Sequence, residues 1–369
     1  MIHPDTPSGA ADALGVRPRW WIYRGTGEPL RDTRLGELLP PPPPWRTFAG
    51  GDVLQPPPED DAEIVRRLGT RWPERILSDA VRHEAEMVNA ALLLRRPLLV
   101  SGRPGTGKSS LAYRISRELR LGRVLRWHIT SRSTLQGGLY AYDAIGRVQD
   151  TAAWRAGTAD DRDGGGGEVL LPPPEIGEYI QLGPLGTALL PYAEPRVLLI
   201  DELDKSDLDL ANDLLSVFEE GAYAIPELLR ARRRHPTVRV RTDDPDGEAD
   251  ISGGRITCKA FPIVIMTSNS EREFPPAFLR RCLLLDLHEP TREDLAGMLA
   301  AHFGPETADE LGGMLISRFL ERSRERGGLS IDQLLNALFL ATSRRDGKQD
   351  DIVHMADSLW HRLDGRAWE

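Results

Sequence analysis

Cysteine is scarce in this chain of 369 residues: only Cys258 and Cys282 occur, with no close pairing of cysteines and histidines. That argues against a disulfide framework and a structural zinc site, and it fits a reducing compartment where both thiols pack as small apolar groups. Long apolar runs are missing too. No stretch approaches the roughly 18 uninterrupted apolar residues of a spanning helix, and the first thirty residues carry Asp5, Asp12, Arg17 and Arg19 where a signal peptide needs an apolar core. No membrane span is expected, and a cytoplasmic location is. An excess of positive charge is also absent: the formal net charge is -9, which argues against a protein that coats DNA generally. Lysine is nearly absent, with four (Lys108, Lys205, Lys259, Lys348) against 43 arginines, a bias ascribed to genome composition before function.

What is present is ordinary for a globular protein. With 40% hydrophobic and 28% charged residues, wholesale disorder, collagen-like and coiled-coil readings fall away. At roughly 150 residues per domain the length suggests about two domains. The first 75 residues hold Trp20, Trp21, Trp45 and Trp72, interrupted by the proline runs Pro40 to Pro44 and Pro56 to Pro58. Serial prolines favour extended segments, so residues 1–75 read as an arm that packs by its aromatics against this chain or a partner, or as a ligand for a proline-recognition module.

From Ile76 the pattern changes to helical spacing through Val81, Val88, Ala91 and Leu92, leading into residues 76–290. Short apolar runs at 98–100, 124–129, 197–200, 263–267 and 283–287 alternate with helical patterns, notably Leu208, Ala211, Leu214, Leu215 and Phe218. That alternation predicts a parallel sheet covered by helices on both faces. The connection 137–195, with Gly164 to Gly167 and Pro172 to Pro174, is too long for a loop and predicts an insertion with small elements of its own. Residues 242–254, with Asp243, Asp244, Asp246, Glu248 and Asp250, read as an acidic exposed turn joining strands 238–241 and 255–259. Residues 291–369 read as all helical: Thr291 with Asp294, and Ser330 with Gln333, have capping spacing, and a last helical pattern runs through Ile352, Val353, Ala356, Leu359, Trp360 and Leu363.

Chemistry concentrates in four places. Gly102-Arg103-Pro104-Gly105-Thr106-Gly107-Lys108-Ser109, followed by Ser110, matches the phosphate-binding loop and sits between a strand and a helix as that reading requires. Glycines leave the backbone N–H groups free to ring a phosphate, and the helix N-terminus adds partial positive charge. Lys108 would reach the outer phosphates and Ser109 would place its hydroxyl on Mg2+. The apolar run 197–200 ends in Asp201 and Glu202, the first suited to orient hydrated Mg2+, the second to polarise an attacking water. Asn269, after the run 263–267, is placed to hold that water or the terminal phosphate, or to form a turn. Arg280 and Arg281 close a helix, where they either complement its C-terminal dipole or are offered to the transition state across a subunit boundary.

In this order and spacing the residues resemble an AAA+ ATPase over roughly 70–363, with Walker A at 102–109, Walker B at 197–202, a sensor-1-like Asn269 and an arginine-finger pair at Arg280 and Arg281. Leu182-Gly183-Pro184-Leu185, the long segment before it, and Phe218-Glu219-Glu220-Gly221 are similar to the MoxR-like branch, whose helix 2 bears an insertion. The resemblance implies an α/β P-loop NTPase with a five-stranded parallel sheet sandwiched by helices and an all-helical lid. It also implies MgATP bound between them, a hexameric homo-oligomer ring, and work on a protein client, often one with a von Willebrand factor A domain. Two departures stand out. Asp201-Glu202-Leu203-Asp204-Lys205 lacks the branch's Asn-Arg or Asp-Arg pair, and Leu329-Ser330-Ile331-Asp332-Gln333 has no arginine in the sensor-2 register, so slow basal turnover is expected.

Two features stay open. The basic run Arg230, Arg232, Arg233, Arg234, Arg239, Arg241 either meets nucleic acid, meets a subunit or partner, or forms a solvated face, and it is the sole support for a DNA-directed motor. Tyr140 and Tyr142 either grip a polypeptide or pack in the core.

Overall fold

The computed structural model describes residues 17–55, 61–70, 77–163, 172–307, 311–326, 329–343 and 356–360. Trp72, the Pro56 to Pro58 run, Ile76, Gly164 to Gly167, Ile352, Val353 and Leu363 lie outside the described residues. The strands are β1 (Leu98–Ser101), β2 (Leu125–His128), β3 (Tyr140–Tyr142), β4 (Ile180–Leu182), β5 (Val197–Asp201), β6 (Ala222–Ala224), β7 (Thr237–Arg241), β8 (Glu248–Ser252), β9 (Arg255–Thr257), β10 (Ile263–Thr267) and β11 (Leu283–Asp286).

Five of them form one parallel sheet in the order β11-β1-β10-β5-β2. β5 and β10 are buried at every position, which is why they read as unbroken apolar runs. Alternate side chains serve opposite faces. Leu98, Val100, Leu199 and Ile265 pack beneath the helices Asp79–Leu94 and Ser110–Leu119, while Leu99, Leu198, Ile200 and Met266 meet the helix Leu208–Glu220 and the insertion. The order sets β1, β10 and β5 side by side, so the loops leaving their carboxyl ends converge. In open α/β sheets that is where ligands bind.

Part of the aromatic arm packs on this chain. Trp21, Ile22 and Tyr23 are buried with the helices Asp79–Leu94 and Ser110–Leu119. Asn89 Oδ1 accepts from the Ile22 and Tyr23 amides at 2.7 and 3.0 Å. Glu118 accepts from the amides of Arg24, Gly25 and Gly27 and from the Thr26 hydroxyl. Burial pushes the Glu118 carboxyl up, against the pull of those donors. Arg46 donates to the Phe218 carbonyl at 2.7 Å, with its guanidinium 4.5 Å from the Phe261 ring centre. Trp45, by contrast, is left exposed.

The region 137–195 contains β3 and β4, paired antiparallel, and the helix Ala144–Asp163. It does not stand alone: β4 pairs with β7, making a second sheet β3-β4-β7-β8. The expectation of an acidic exposed turn at 242–254 is corrected here. β8 lies inside that stretch and pairs with β7, while Arg255–Thr257 pairs with β6 instead. Asp244 is not at a solvated tip but receives both terminal nitrogens of Arg196 at 2.8 Å, and Arg196 is wholly buried. Asp243 takes Arg123 at 3.0 Å. Paired guanidinium and carboxylate can be buried where either alone could not. Tyr140 is buried and donates to Glu227 at 3.0 Å, and Tyr142 accepts from Arg147 at 3.0 Å, so both side chains are engaged within β3's surroundings. Both cysteines are free and buried, and burial pushes both thiols up to about 12.

Beyond β11 the described chain is helical: Arg292–Phe303, Gly313–Arg326, Ile331–Ser343 and residues 356–359. Thr291 and Asp294 form the expected reciprocal capping box, and the Ser330 amide donates to Gln333 at 3.0 Å. Trp360, fully buried, meets Phe319 edge to face at 5.7 Å and donates to the Gln333 carbonyl. Asp357 takes Arg318 at 3.0 Å and Arg322 at 2.8 Å.

Two outcomes test this packing. Asp244→Ala leaves Arg196 buried without its partner, and the unfolding free energy measured in urea should fall by about 3–5 kcal/mol. The Arg322 and Arg318 guanidinium groups hold the Asp357 carboxyl down at about 2. Its contribution is therefore present above the unfolded value near 3.8 and lost as pH falls through the folded one. Asp357→Asn should cost about 1–2 kcal/mol near neutrality, with the difference vanishing between about pH 4 and pH 2 in chemical denaturation.

Candidate functional site

At the carboxyl ends of β1, β5 and β10 lies a cavity of about 350 Å3, walled on its far side by the helix Ile331–Ser343. The loop after β1 folds back on itself because glycine permits it. Gly105 has φ +81° and Gly107 φ +84°, and a Cβ on Gly105 would lie 2.6 Å from the Ser330 backbone. The lid therefore meets the loop at a point only glycine can occupy. Lys108, almost fully buried, donates to the carbonyls of Gly102 at 2.7 Å and Arg103 at 2.9 Å, and burial pushes its ammonium down from its ordinary value.

Of the loop residues, Pro104, Gly105, Gly107, Lys108, Ser109 and Ser110 border this cavity. Arg103 and Thr106 instead face a neighbouring cleft towards the lid, with Arg103 paired to Glu289 and Thr106 donating to the Arg103 carbonyl at 2.9 Å. Gly102 enters through its backbone, as the carbonyl partner of Lys108.

Asp201 is the hub. It ends β5, is 4% exposed, and accepts from Ser109 Oγ at 2.7 Å, Thr267 Oγ1 at 2.8 Å and Arg126 at 2.7 Å. Burial pushes its carboxyl up, but the Ser109, Arg126 and Thr267 donors outweigh that and hold it below the ordinary carboxylate range. Glu202 follows in the left-handed region at φ 63° and borders the same cavity. Its carboxylate takes Lys205 at 2.8 Å and faces His128 Nε2 at 3.7 Å. Asn269 also borders the cavity, and its amide N–H donates to Asp204 at 2.8 Å.

Arg280 and Arg281 are not brought to this cavity. They are exposed beyond the helix Pro276–Leu279, where Arg281 donates to Glu219 at 2.9 Å and Arg46 lies 4.0 Å from the same carboxylate. Trp45 borders that patch. The structure also adds residues that the sequence pattern did not mark. Thr267 bridges Asp201 and the Glu202 amide, which it accepts at 2.8 Å. Asp204 holds the chain after β10 through the Asn269 and Glu271 amides. A lone Thr at a strand end has no spacing signal; the acid three residues after Asp201 had one only as part of the altered Walker B sequence.

Residues 97–282 match the family described as AAA domain (dynein-related subfamily), a span of just over half the chain. The chain belongs to this AAA family. Its P-loop, five-stranded parallel sheet and helical C-terminal region fit that membership. No curated protein matches the sequence of this AAA protein. Among solved structures, the Thermotoga maritima RuvB Holliday junction branch migration motor is similar at 15% identity, covering 76% of this chain and 68% of that one, with a TM-score of 0.37. A point mutant of the same Thermotoga maritima RuvB is similar at 16% identity, over 76% and 69%, with a TM-score of 0.36. Those likenesses decide nothing about what this AAA protein works on. Among the described residues no helix is long and apolar enough to cross a membrane, and no cluster of three or more His, Cys, Asp or Glu forms a metal site.

The Thr267 bridge yields a prediction. Thr267→Val keeps the shape but strips Asp201 of a donor and the Glu202 amide of its acceptor. Its unfolding free energy should drop by about 1–3 kcal/mol, whereas Thr267→Ser, retaining the hydroxyl, should stay within about 1 kcal/mol of the parent.

Proposed function

We infer that this AAA protein binds MgATP in the 350 Å3 cavity and hydrolyses it, using the cycle to remodel or activate a partner protein. The observation that carries the reading is the convergence of Lys108, Ser109, Asp201, Glu202 and Asn269 on that one cavity.

The donor set suits Mg2+, which keeps most of its waters and takes few protein ligands. Ser109 Oγ and Asp201 lie 2.7 Å apart, and Asp201 is held anionic. When bound, the ion neutralises phosphate charge and fixes the terminal phosphate for in-line attack. Lys108 and the loop amides hold the phosphates. Glu202, once freed from Lys205, accepts the proton of the attacking water, and Asn269 positions that water. Arg281, with Arg280 in support, acts on the site of a neighbouring subunit, released from Glu219 as the subunits meet.

The finer parts of the reading rest on the MoxR-like sequence features: a ring, hexameric in that branch, working in the cytoplasm on a client or von Willebrand factor A domain partner. Residues 1–75, 76–290 and 291–369 are its arm, nucleotide-binding domain and lid. A second reading is favoured by two observations. Among the described residues the lid presents Ser330 and Asp332 to the cavity rather than an arginine, and Glu202 is tied to Lys205. Both suit an ATP-gated scaffold that assembles but turns over little.

Phosphate release from MgATP against protein concentration separates the two. The hydrolytic reading expects turnover that rises with concentration and falls at least about tenfold in Glu202→Gln and Arg281→Ala, as loss of a water-polarising acid or a finger arginine does. Measurable ATP binding with negligible turnover at every concentration would replace it with the scaffold. Stimulation by DNA alone would favour a DNA-directed motor.

A further inference from the structure

The lid helix Ile331–Ser343 brings no cation to the cavity: its contribution is Ile331, Asp332 and Leu335, preceded by Ser330. His302, nearby on the helix Arg292–Phe303, is half-buried, and burial pushes its imidazolium down from its ordinary value. Preorganised cations around a triphosphate stabilise the charge that builds in the transition state. Among the described residues the arginines bordering the cavity are Arg67, Arg114 and Arg126. Arg114 is buried in a pair with Glu84 at 2.8 Å. Arg67 lies over the Tyr113 ring at 5.4 Å and beside Glu63.

Arg126 is placed differently. Along β2, Leu125 and Trp127 are buried while Arg126 and His128 face outward, as a period of two requires. The parallel register pairs Arg126 with Leu199 and His128 with Asp201, so Arg126 shares the face of the sheet from which Asp201 projects. Its guanidinium donates to Asp201 Oδ2 at 2.7 Å, and its side chain is 36% exposed, on the edge strand and free to swing without unpacking the core. A hydrated Mg2+ held at Asp201 and Ser109 would place two further positive charges against that guanidinium. Coulomb repulsion then favours a new anionic partner.

We propose that Arg126 exchanges Asp201 for the terminal phosphate of bound MgATP, supplying from the edge strand of the same chain a phosphate-directed guanidinium that the helix Ile331–Ser343 does not bring. This rests on the MgATP reading. Since ADP lacks the γ-phosphate, Arg126 is the residue by which the site tells ATP from ADP. Its loss also relieves Asp201 of a competitor for Mg2+.

Equilibrium titration of the full chain with fluorescent ADP and a fluorescent, hydrolysis-resistant ATP analogue, in excess Mg2+, tests the assignment. In Arg126→Ala the ATP analogue should bind about 10- to 100-fold more weakly, the span expected for charge-assisted hydrogen bonds, while ADP binds as before or more tightly. Arg126→Lys, keeping the charge without the fork, should fall between. Circular dichroism and retained ADP binding report an intact fold. An unchanged ratio of the two affinities, or equal weakening of both in a folded variant, overturns the role of Arg126 and leaves the MgATP reading standing. Failure of the unmodified chain to bind either nucleotide overturns that reading and the inference with it.

Discussion

Everything at the candidate site hangs on one buried carboxylate. Asp201 receives Ser109 from the P-loop, Thr267 from β10 and Arg126 from β2, so three segments far apart in sequence are tied to the end of β5. An ionised carboxylate this deep is tolerable because its donors compensate the lost hydration. The same bonds fix the positions of its neighbours: the Thr267 hydroxyl also takes the Glu202 amide, and Glu202 sits at φ 63° as a result of the turn that follows. The parallel order of the sheet makes this possible, because β10 and β2 flank β5 on either side.

The arginine bias has a structural side. Arg46, Arg114 and Arg196 are nearly or wholly buried, each holding together parts of the chain that meet only on folding: the arm and the helix Leu208–Glu220, the helices Ser110–Leu119 and Asp79–Leu94, and β5 and the turn before β8. A planar guanidinium serves such positions better than an ammonium, because its fork can satisfy two acceptors at once and its charge is diffuse. Lys108 is one of the few lysines, and its compact charge is suited to a loop that closes around phosphates.

Periodicity and punctuation in the sequence expose much of the fold. β1, β5 and β10 are short apolar runs because both their faces are covered, and the loop at 102–109 is marked by glycines that its backbone angles require. The capping box at Thr291 and Asp294 was legible for the same reason: it is a bond between near neighbours. The stretch 242–254 misled, since Asp243 and Asp244 look like a solvated turn until Arg123 and Arg196, distant in sequence, are found against them.

The sequence by itself determined the local chemistry: strand, glycine loop, helix, paired acids, and the family to which they belong. Tertiary structure alone decided how those pieces face one another. It placed Arg126 and Thr267 on Asp201, set the arm's Trp21 and Tyr23 into the core, joined β4 to β7, and left Arg281 away from its own chain's cavity. The reason is range. Propensity, capping and period act over a few residues, whereas an ion pair or a sheet register between distant segments is selected only when the whole chain has packed.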